Sequence, residues 1–288
     1  MKPSLFSMTV ILFLLHVRKT SCVDYRYSNC SQTFQCGSIA NIGYPYWGQK
    51  RPDYCGRPEF ELNCTGDAPV MTMESLQFRI LDIYNTSYTL NVTRADYWDT
   101  YCPSEFSNTT IDSSFFEYTS NTQNMFLYYN CTRSLIGLAG ISNQFTCDID
   151  NDTMTGYYTL KNLTSDTNST VREVCGINVN IPVYQENAQA IQNNLTNDNL
   201  VQVLDGGFGL LWDANNSICE ACRESNGQCG YNSSTNQFVC FCEDQPFPAS
   251  CQTTESDSPG SAGFRQRGHI LGRVVNALCF VDFVLMYF

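Results

Sequence analysis

Histidine is nearly missing from this chain of 288 residues: there are two, His16 and His269, and none between residues 23 and 251. The gap removes Ser-His-Asp and Cys-His catalysis, and histidine metal ligands, from that whole stretch. Positive charge is scarce as well. Lys and Arg number 16 against 28 Asp and Glu, a net of −12, and residues 23–251 carry 10 basic against 25 acidic groups, a net of −15. A nucleic-acid partner is thereby excluded, because neutralising phosphates takes clustered Lys and Arg. No apolar run within 23–251 approaches the roughly 20 residues of a membrane helix. With only 15% charged residues and 13% aromatics, the chain is not an intrinsically disordered polymer either.

What the chain has in excess is cysteine, 16 in all, which points to an oxidising compartment. The N-terminus agrees. Residues 1–22 read as a signal peptide, with Lys2 as the positive end, Met8–Leu15 as the apolar core, and Thr20 and Cys22 as the small residues before a cut at Val23. The Arg18–Lys19 pair leaves the cleavage position open. Cys22 goes with the signal and Cys279 lies in the C-terminal tail, which leaves fourteen cysteines. They fall into two even groups: Cys30, Cys36, Cys55, Cys64, Cys102, Cys131, Cys147 and Cys175, then Cys219, Cys222, Cys229, Cys240, Cys242 and Cys251. Even parity suggests two separately closed disulfide frameworks, each bridge contributing about 2–4 kcal/mol. The Cys219–Cys222 spacing would suit zinc in a cytosolic chain, but the signal peptide favours disulfides, and no metal or cofactor is expected.

Twelve N-x-S/T triplets support the same route, where chance pairing of 26 Asn with 50 Ser and Thr would give about 4.5. Asn85, Asn91, Asn108, Asn151, Asn162, Asn168, Asn194, Asn215 and Asn232 are the expected glycan carriers. Asn29, Asn63 and Asn130 sit beside a cysteine, and some of these are expected to stay unused. A glycosylated face cannot also be an interface, which draws attention to the sequon-free stretch 32–62.

The fold class expected is mainly β and disulfide-rich, two small extracellular modules with one or two short helices. Strand-like runs with alternating burial potential recur at Gln77–Tyr84, Tyr88–Val92, Ser114–Tyr118, Asn124–Tyr129 and Gly176–Val183. Asn187–Asp205 carries apolar residues near helical spacing. It reads either as one helix broken near Thr196 or as a polar linker before a short helix ended by Gly206–Gly207. The cysteine cluster 219–251 contains a hairpin signal, Gln237–Cys242 after the turn Asn232–Thr235. Beyond it, 252–288 is a polar linker followed by an apolar stretch, Val274–Phe288, interrupted by Asn276 and Asp282. That tail reads as a lipid-anchor signal, a truncated membrane helix or a misassigned end.

Phe34–Cys64 reads FQCGSIANIGYPYWGQKRPDYCGRPEFELNC. It resembles the galacturonan-binding domain of plant wall-associated receptor-like kinases, most closely the leaf-rust-resistance-locus type. Gly207–Trp212, Cys219–Cys222, Gly227–Tyr231 and Phe238–Cys242 resemble the C-terminal domain of the same kinases. The resemblance implies a galacturonan-binding-like domain over 23–100 and a wall-associated-kinase C-terminal-like domain over 101–251. Family members continue into a protein kinase, yet this chain holds no G-x-G-x-x-G-x-V loop, H-R-D or D-F-G, so no enzymatic activity is expected of it.

Tyr44–Arg57 is the expected carbohydrate-binding segment. Tyr44, Tyr46, Trp47 and Tyr54 offer flat rings for stacking on sugar C–H faces, and Lys50, Arg51 and Arg57 offer partners for uronate carboxylates. A second reading treats Tyr44–Gly48 as core and turn, since Pro45 and Gly48 favour a turn. Glu59 and Glu61 flank Phe60 as solvent-facing strand residues rather than an acid/base pair. The expected partner is a pectic cell-wall polysaccharide, held weakly because the acidic body repels polyuronate. The alternative is a receptor or decoy module that recognises a peptide or co-receptor and has no carbohydrate affinity. Either places the protein in the secreted or cell-surface space.

Overall fold

The computed structural model describes residues 23–138, 141, 143–149, 152–192 and 197–251. The signal-peptide reading of 1–22, the readings of 252–288, the break near Thr196, and the sequons at Asn151 and Asn194 lie outside the described residues. Backbone contacts divide the chain into two units, 33–216 and one formed from the two ends, of which 23–32 and 217–251 are described. The expected boundary between residues 100 and 101 falls inside the larger unit. The fold is mainly β as expected, with fifteen strands and five α-helices among the described residues.

In chain order the larger unit begins with a hairpin, β1 (Phe34–Cys36) and β2 (Ile39–Ile42). There follow β3 (Leu62–Asn63), β4 (Val70–Met73), β5 (Leu76–Tyr84), β6 (Thr89–Arg94) and β7 (Phe116–Tyr118). Next come β8 (Thr122–Cys131), β9 (Asn143–Ile149), β10 (Asp152–Thr159) and β11 (Cys175–Tyr184), with helix α2 (Ser165–Val174) between the last two. Helices α3 (Gln185–Gln192) and α4 (Asn197–Gly206) precede the last strand, β12 (Phe208–Trp212). Helix α1 belongs to the smaller unit, described below.

Two antiparallel sheets result. The first has the order β3-β4-β5-β6-β12-β7, so β12 inserts between strands that lie far upstream in sequence. Alternation explains its face: Phe78 and Ile80, Leu90 and Val92, and Phe208, Leu210 and Trp212 all point inward and are buried, with Phe208 opposite Val92 and Leu210 opposite Leu90. The second sheet has the order β11-β8-β10-β9. Met125, Leu127 and Tyr129 of β8, with Val179, Ile181 and Val183 of β11, pack on one face against Ala188 and Ile191 of α3 and Leu200, Val203 and Leu204 of α4. On the other face Tyr128 and Tyr157 meet Val171 and Val174 of α2. The expected Asn187–Asp205 helix is thus seen as two helices, separated by residues that are not described.

A buried arginine ties the loop after β6 to the rest. Arg94 is 1% exposed, pairs with Asp96 through Nε (2.8 Å) and Nη2 (2.6 Å), and donates from Nη1 to the Ser107 carbonyl at 3.1 Å. Thr109 N–H in turn donates to the Asn180 carbonyl at 3.0 Å, which carries the loop onto the edge strand β11. The bonds made by the Arg94 guanidinium offset the desolvation of a charge that would otherwise be costly to bury.

All fourteen cysteines of 23–251 are disulfide-bonded. Cys36–Cys64, Cys102–Cys147 and Cys131–Cys175 join the larger unit, the last directly across the β8–β11 register. In the smaller unit Cys219–Cys229, Cys222–Cys240 and Cys242–Cys251 close the cluster. Its elements are α1 (Tyr25–Cys30), α5 (Asn216–Glu224), which starts at the last residue of the larger unit, and the sheet β13 (Gln228–Asn232), β14 (Gln237–Phe241) and β15 (Pro246–Phe247). Asp24 caps α1 by accepting from Arg26 N–H at 2.8 Å, and its own N–H donates to the Glu243 carbonyl at 2.7 Å. No helix among the described residues is long and apolar enough to cross a membrane.

Gly207 stops α4 and starts β12 with φ +64°, and a Cβ there would collide with the Val92 carbonyl. We expect Gly207→Ala to destabilise the larger unit by about 1–3 kcal/mol, read as a lowered midpoint of chemical denaturation with an unchanged slope.

Candidate functional site

The stretch from Tyr44 to Arg57 runs beside the end of β12, and the residues just after that strand hold it in place. Tyr44 is buried and its hydroxyl donates to the Ala214 carbonyl at 2.6 Å. Tyr46 is 0% exposed, with its ring edge-on to Phe60 at 5.6 Å and to Trp212 at 5.8 Å. Trp47 is half-buried, donates from Nε1 to the Arg57 carbonyl at 2.6 Å, and bridges to Glu61. Arg51 is buried and donates to the Cys55 carbonyl at 3.2 Å. Arg57 reaches Asn215 Oδ1 at 2.7 Å and Glu59 at 3.2 Å, and its guanidinium lies 4.6 Å from the centre of the Phe115 ring. Tyr54 is half-buried and Lys50 is exposed.

The seven residues therefore divide. Tyr44, Tyr46 and Arg51 turn inward and brace the segment, so they have no face for a sugar, and the core-and-turn reading describes them. Trp47, Lys50, Tyr54 and Arg57 keep some exposed surface. Beside them opens a groove of about 490 Å³ lined by Gln49, Glu59, Glu61, Asn63, Thr65 and Thr72 among others. Gln49 is fixed there by a bond from Nε2 to the Cys64 carbonyl at 3.0 Å. The lining is rich in amides and hydroxyls, which pair readily with sugar hydroxyls. The charged residues that line it, Glu59 and Glu61, are both acidic.

Trp98, which the sequence did not single out, is 38% exposed. Arg79 stacks on its ring at 4.2 Å while gripping Asp67 through both Nη atoms, at 2.8 and 2.5 Å. A neighbouring charge pair is a poor sequence signal: Asp67, Arg79 and Trp98 come from a loop, a strand and a 3-10 turn. The three metal-ligand-type residues that converge among the described residues, Cys240, Cys242 and Cys251, have their sulfurs committed to disulfides and hold no ligand set for an ion.

Two predictions follow from these contacts. The Tyr46 hydroxyl is buried without a hydrogen-bond partner, and burial pushes its pKa well up. Tyr46→Phe removes an unsatisfied polar group and keeps the ring, so stability should hold or rise by about 1 kcal/mol, whereas Tyr46→Ala should cost about 3–5 kcal/mol, both by denaturant titration. For Asp67, the hydrogen bonds from Arg79 and then its charge hold the carboxyl down at about 2. A depressed folded pKa contributes stability above the ordinary carboxylate value and loses it as pH falls through about 2. An NMR titration should place the Asp67 midpoint there, and Arg79→Ala should return it towards about 3.9.

Comparison with known proteins extends the picture. Residues 30–94 match the family model of the wall-associated receptor kinase galacturonan-binding domain, and residues 145–245 match that of the wall-associated receptor kinase C-terminal domain. Relatives from Arabidopsis thaliana include leaf rust 10 disease-resistance locus receptor-like protein kinase-like 2.8, 34% identical over 240 residues that cover 78% of this chain and 26% of the relative. The -like 2.1 protein is 32% identical over 254 residues, covering 85% and 39%. The -like 1.3 protein is 27% identical over 277 residues, covering 93% and 37%. The chain thus spans less than half the length of these relatives. No solved structure matches it. With two domains of this type in the order found and homology running through both, the chain belongs to the family of wall-associated and leaf-rust-resistance-locus receptor-like kinases, matching their ectodomain type of module rather than a kinase domain.

Proposed function

We propose that this chain works outside the cell as a non-catalytic recognition module for cell-wall polysaccharide of the pectic, galacturonan class. The observation that carries the reading is the match of residues 30–94 to a galacturonan-binding domain, within which the amide-lined groove beside Trp47 and Lys50 lies. Recognition there would rest on hydrogen bonds from Gln49, Asn63, Thr65 and Thr72 to sugar hydroxyls, with Trp47 and Tyr54 adding ring contact and Lys50 the positive charge. Glu59 and Glu61 in the lining favour a stretch of polymer whose carboxyls are methyl-esterified, because a bare uronate beside them meets like charge. Wall sensing by a receptor is the role the family suggests for such a module.

Calorimetric titration of the secreted chain with oligogalacturonides of one length, bare and methyl-esterified, tests this. The esterified ligand should bind more tightly, and the Glu59→Gln, Glu61→Gln double variant should narrow the gap by about twofold to fivefold. Lack of binding to either ligand by a folded chain would sink the reading and leave peptide or co-receptor recognition in its place.

A further inference from the structure

A second groove, of about 480 Å³, lies on the face of the β8–β11 edge that α2 only partly covers. Its floor is set by register. Phe126 is opposite Asn180 and Tyr128 is opposite Asn178, so two aromatic rings alternate with two amides on one face. Its walls are Asn162 and Leu163 before α2, Asn168 and Arg172 one turn apart on α2, and Asn108 from the loop before β7. Asn108 is held by its Oδ1, which accepts from Asn180 N–H at 2.9 Å, and so its Nδ2 is left for another bond. Asn180 Oδ1 is a buried acceptor without a hydrogen-bond partner on this groove.

Three of these asparagines, Asn108, Asn162 and Asn168, begin N-x-S/T triplets. Asn108 and Asn162 are exposed and Asn168 is half-buried. Three other grooves among the described residues hold at most one such asparagine each. We propose that this groove is a bed for the chain's own N-linked glycan: sugars on Asn162 and Asn168, flanked by one on Asn108, fold back over the partly buried Phe126 and close this face to outside ligands. The attachment is a substitution at the sugar anomeric carbon. The asparagine Nδ2 loses a proton and forms the C–N bond, while the C–O bond to a lipid diphosphate donor breaks and the diphosphate leaves, with no change of oxidation state. Once attached, the first sugars are tethered at an effective concentration in the millimolar range, so shallow contacts suffice to hold them. The apolar faces of the N-acetylhexosamine rings suit the aromatic floor, and their amide N–H groups suit the orphaned Asn180 acceptor.

The tethered glycan is a different occupant from the polysaccharide proposed for the first groove, and the two ideas stand or fall separately. The test uses the full chain secreted from a mammalian cell line. Glycopeptide mass spectrometry gives occupancy, and peptide N-glycosidase is applied to the folded and the unfolded protein. Occupied Asn162 and Asn168, with release from the folded protein slowed about tenfold or more relative to the unfolded protein, is the expected result. The exposed sites Asn85 and Asn232 should show little such difference. A second readout is hydrogen exchange at residues 178–180 in wild type, which should speed up on enzymatic removal of the glycans without any substitution. Bare asparagines at both positions, or release as fast as from the unfolded chain, would overturn the proposal. So would protection of this groove by an added oligogalacturonide, which would show that it is open to an outside ligand.

Discussion

Strand β12 gives hydrogen bonds to β6 on one side and to β7 on the other, and the larger unit depends on that double pairing. Without it β6 becomes an open edge and β7, three residues long, has no partner. The same strand delivers Trp212 into a cluster with Tyr46, Phe60 and Tyr88, at ring separations of 5.0–6.0 Å. The residues that follow it then fasten the candidate segment, through the Ala214 carbonyl to Tyr44 and through Asn215 to Arg57. A segment near the N-terminus is therefore shaped by chain that is synthesised much later. Residues 30–94, although they match one family domain, do not complete their own sheet. Long-range pairing of this kind makes folding slow, because loop closure has to come before its reward.

Electrostatics points the same way as geometry. Arg26, Arg57 and Arg94 each pair with a carboxylate two residues along the chain, and Arg79 pairs with Asp67, so each contributes little net field to a passing polyanion. Among the basic residues of the candidate segment, Lys50 is the exposed one. A chain with this balance gains little from charge attraction, so under the proposed function the contacts to a polymer would come from hydroxyls, amides and ring faces. Amides and hydroxyls are what the first groove presents.

Alternation made β5, β6, β8 and β11 legible, because each has one face buried and polar residues between. β9 alternates too, with Phe145, Cys147 and Ile149 between polar residues, but it was not read as a strand, and in β10 the alternation breaks where Gly156 lies under Phe145 and Tyr157 and Tyr158 are buried side by side. The Phe208–Trp212 run was visible as a motif, but nothing local says which strands it joins. Within the candidate site the limit was different. Tyr-Pro-Tyr-Trp suits an exposed platform and a buried corner equally well by composition, and only Trp212 and Phe60, one of them distant in sequence, decide that Tyr46 goes inside. Charge misled in the same way: Arg51 is buried, because a backbone carbonyl replaces water that it gives up. The two even cysteine groups were the firmest inference, since parity needs no knowledge of pairing, and each bridge seen stays within its own group.

The smaller unit carries a constraint of another kind. Gly227 follows α5 at a point where a side-chain carbon would run into the sulfurs of Cys222, Cys240 and Cys251 together. Those sulfurs belong to two different bridges, so the hydrogen at this one position keeps a shared passage clear while both are formed. Any larger group there would have to displace both bridges at once, so two covalent links answer to a single atom-sized gap.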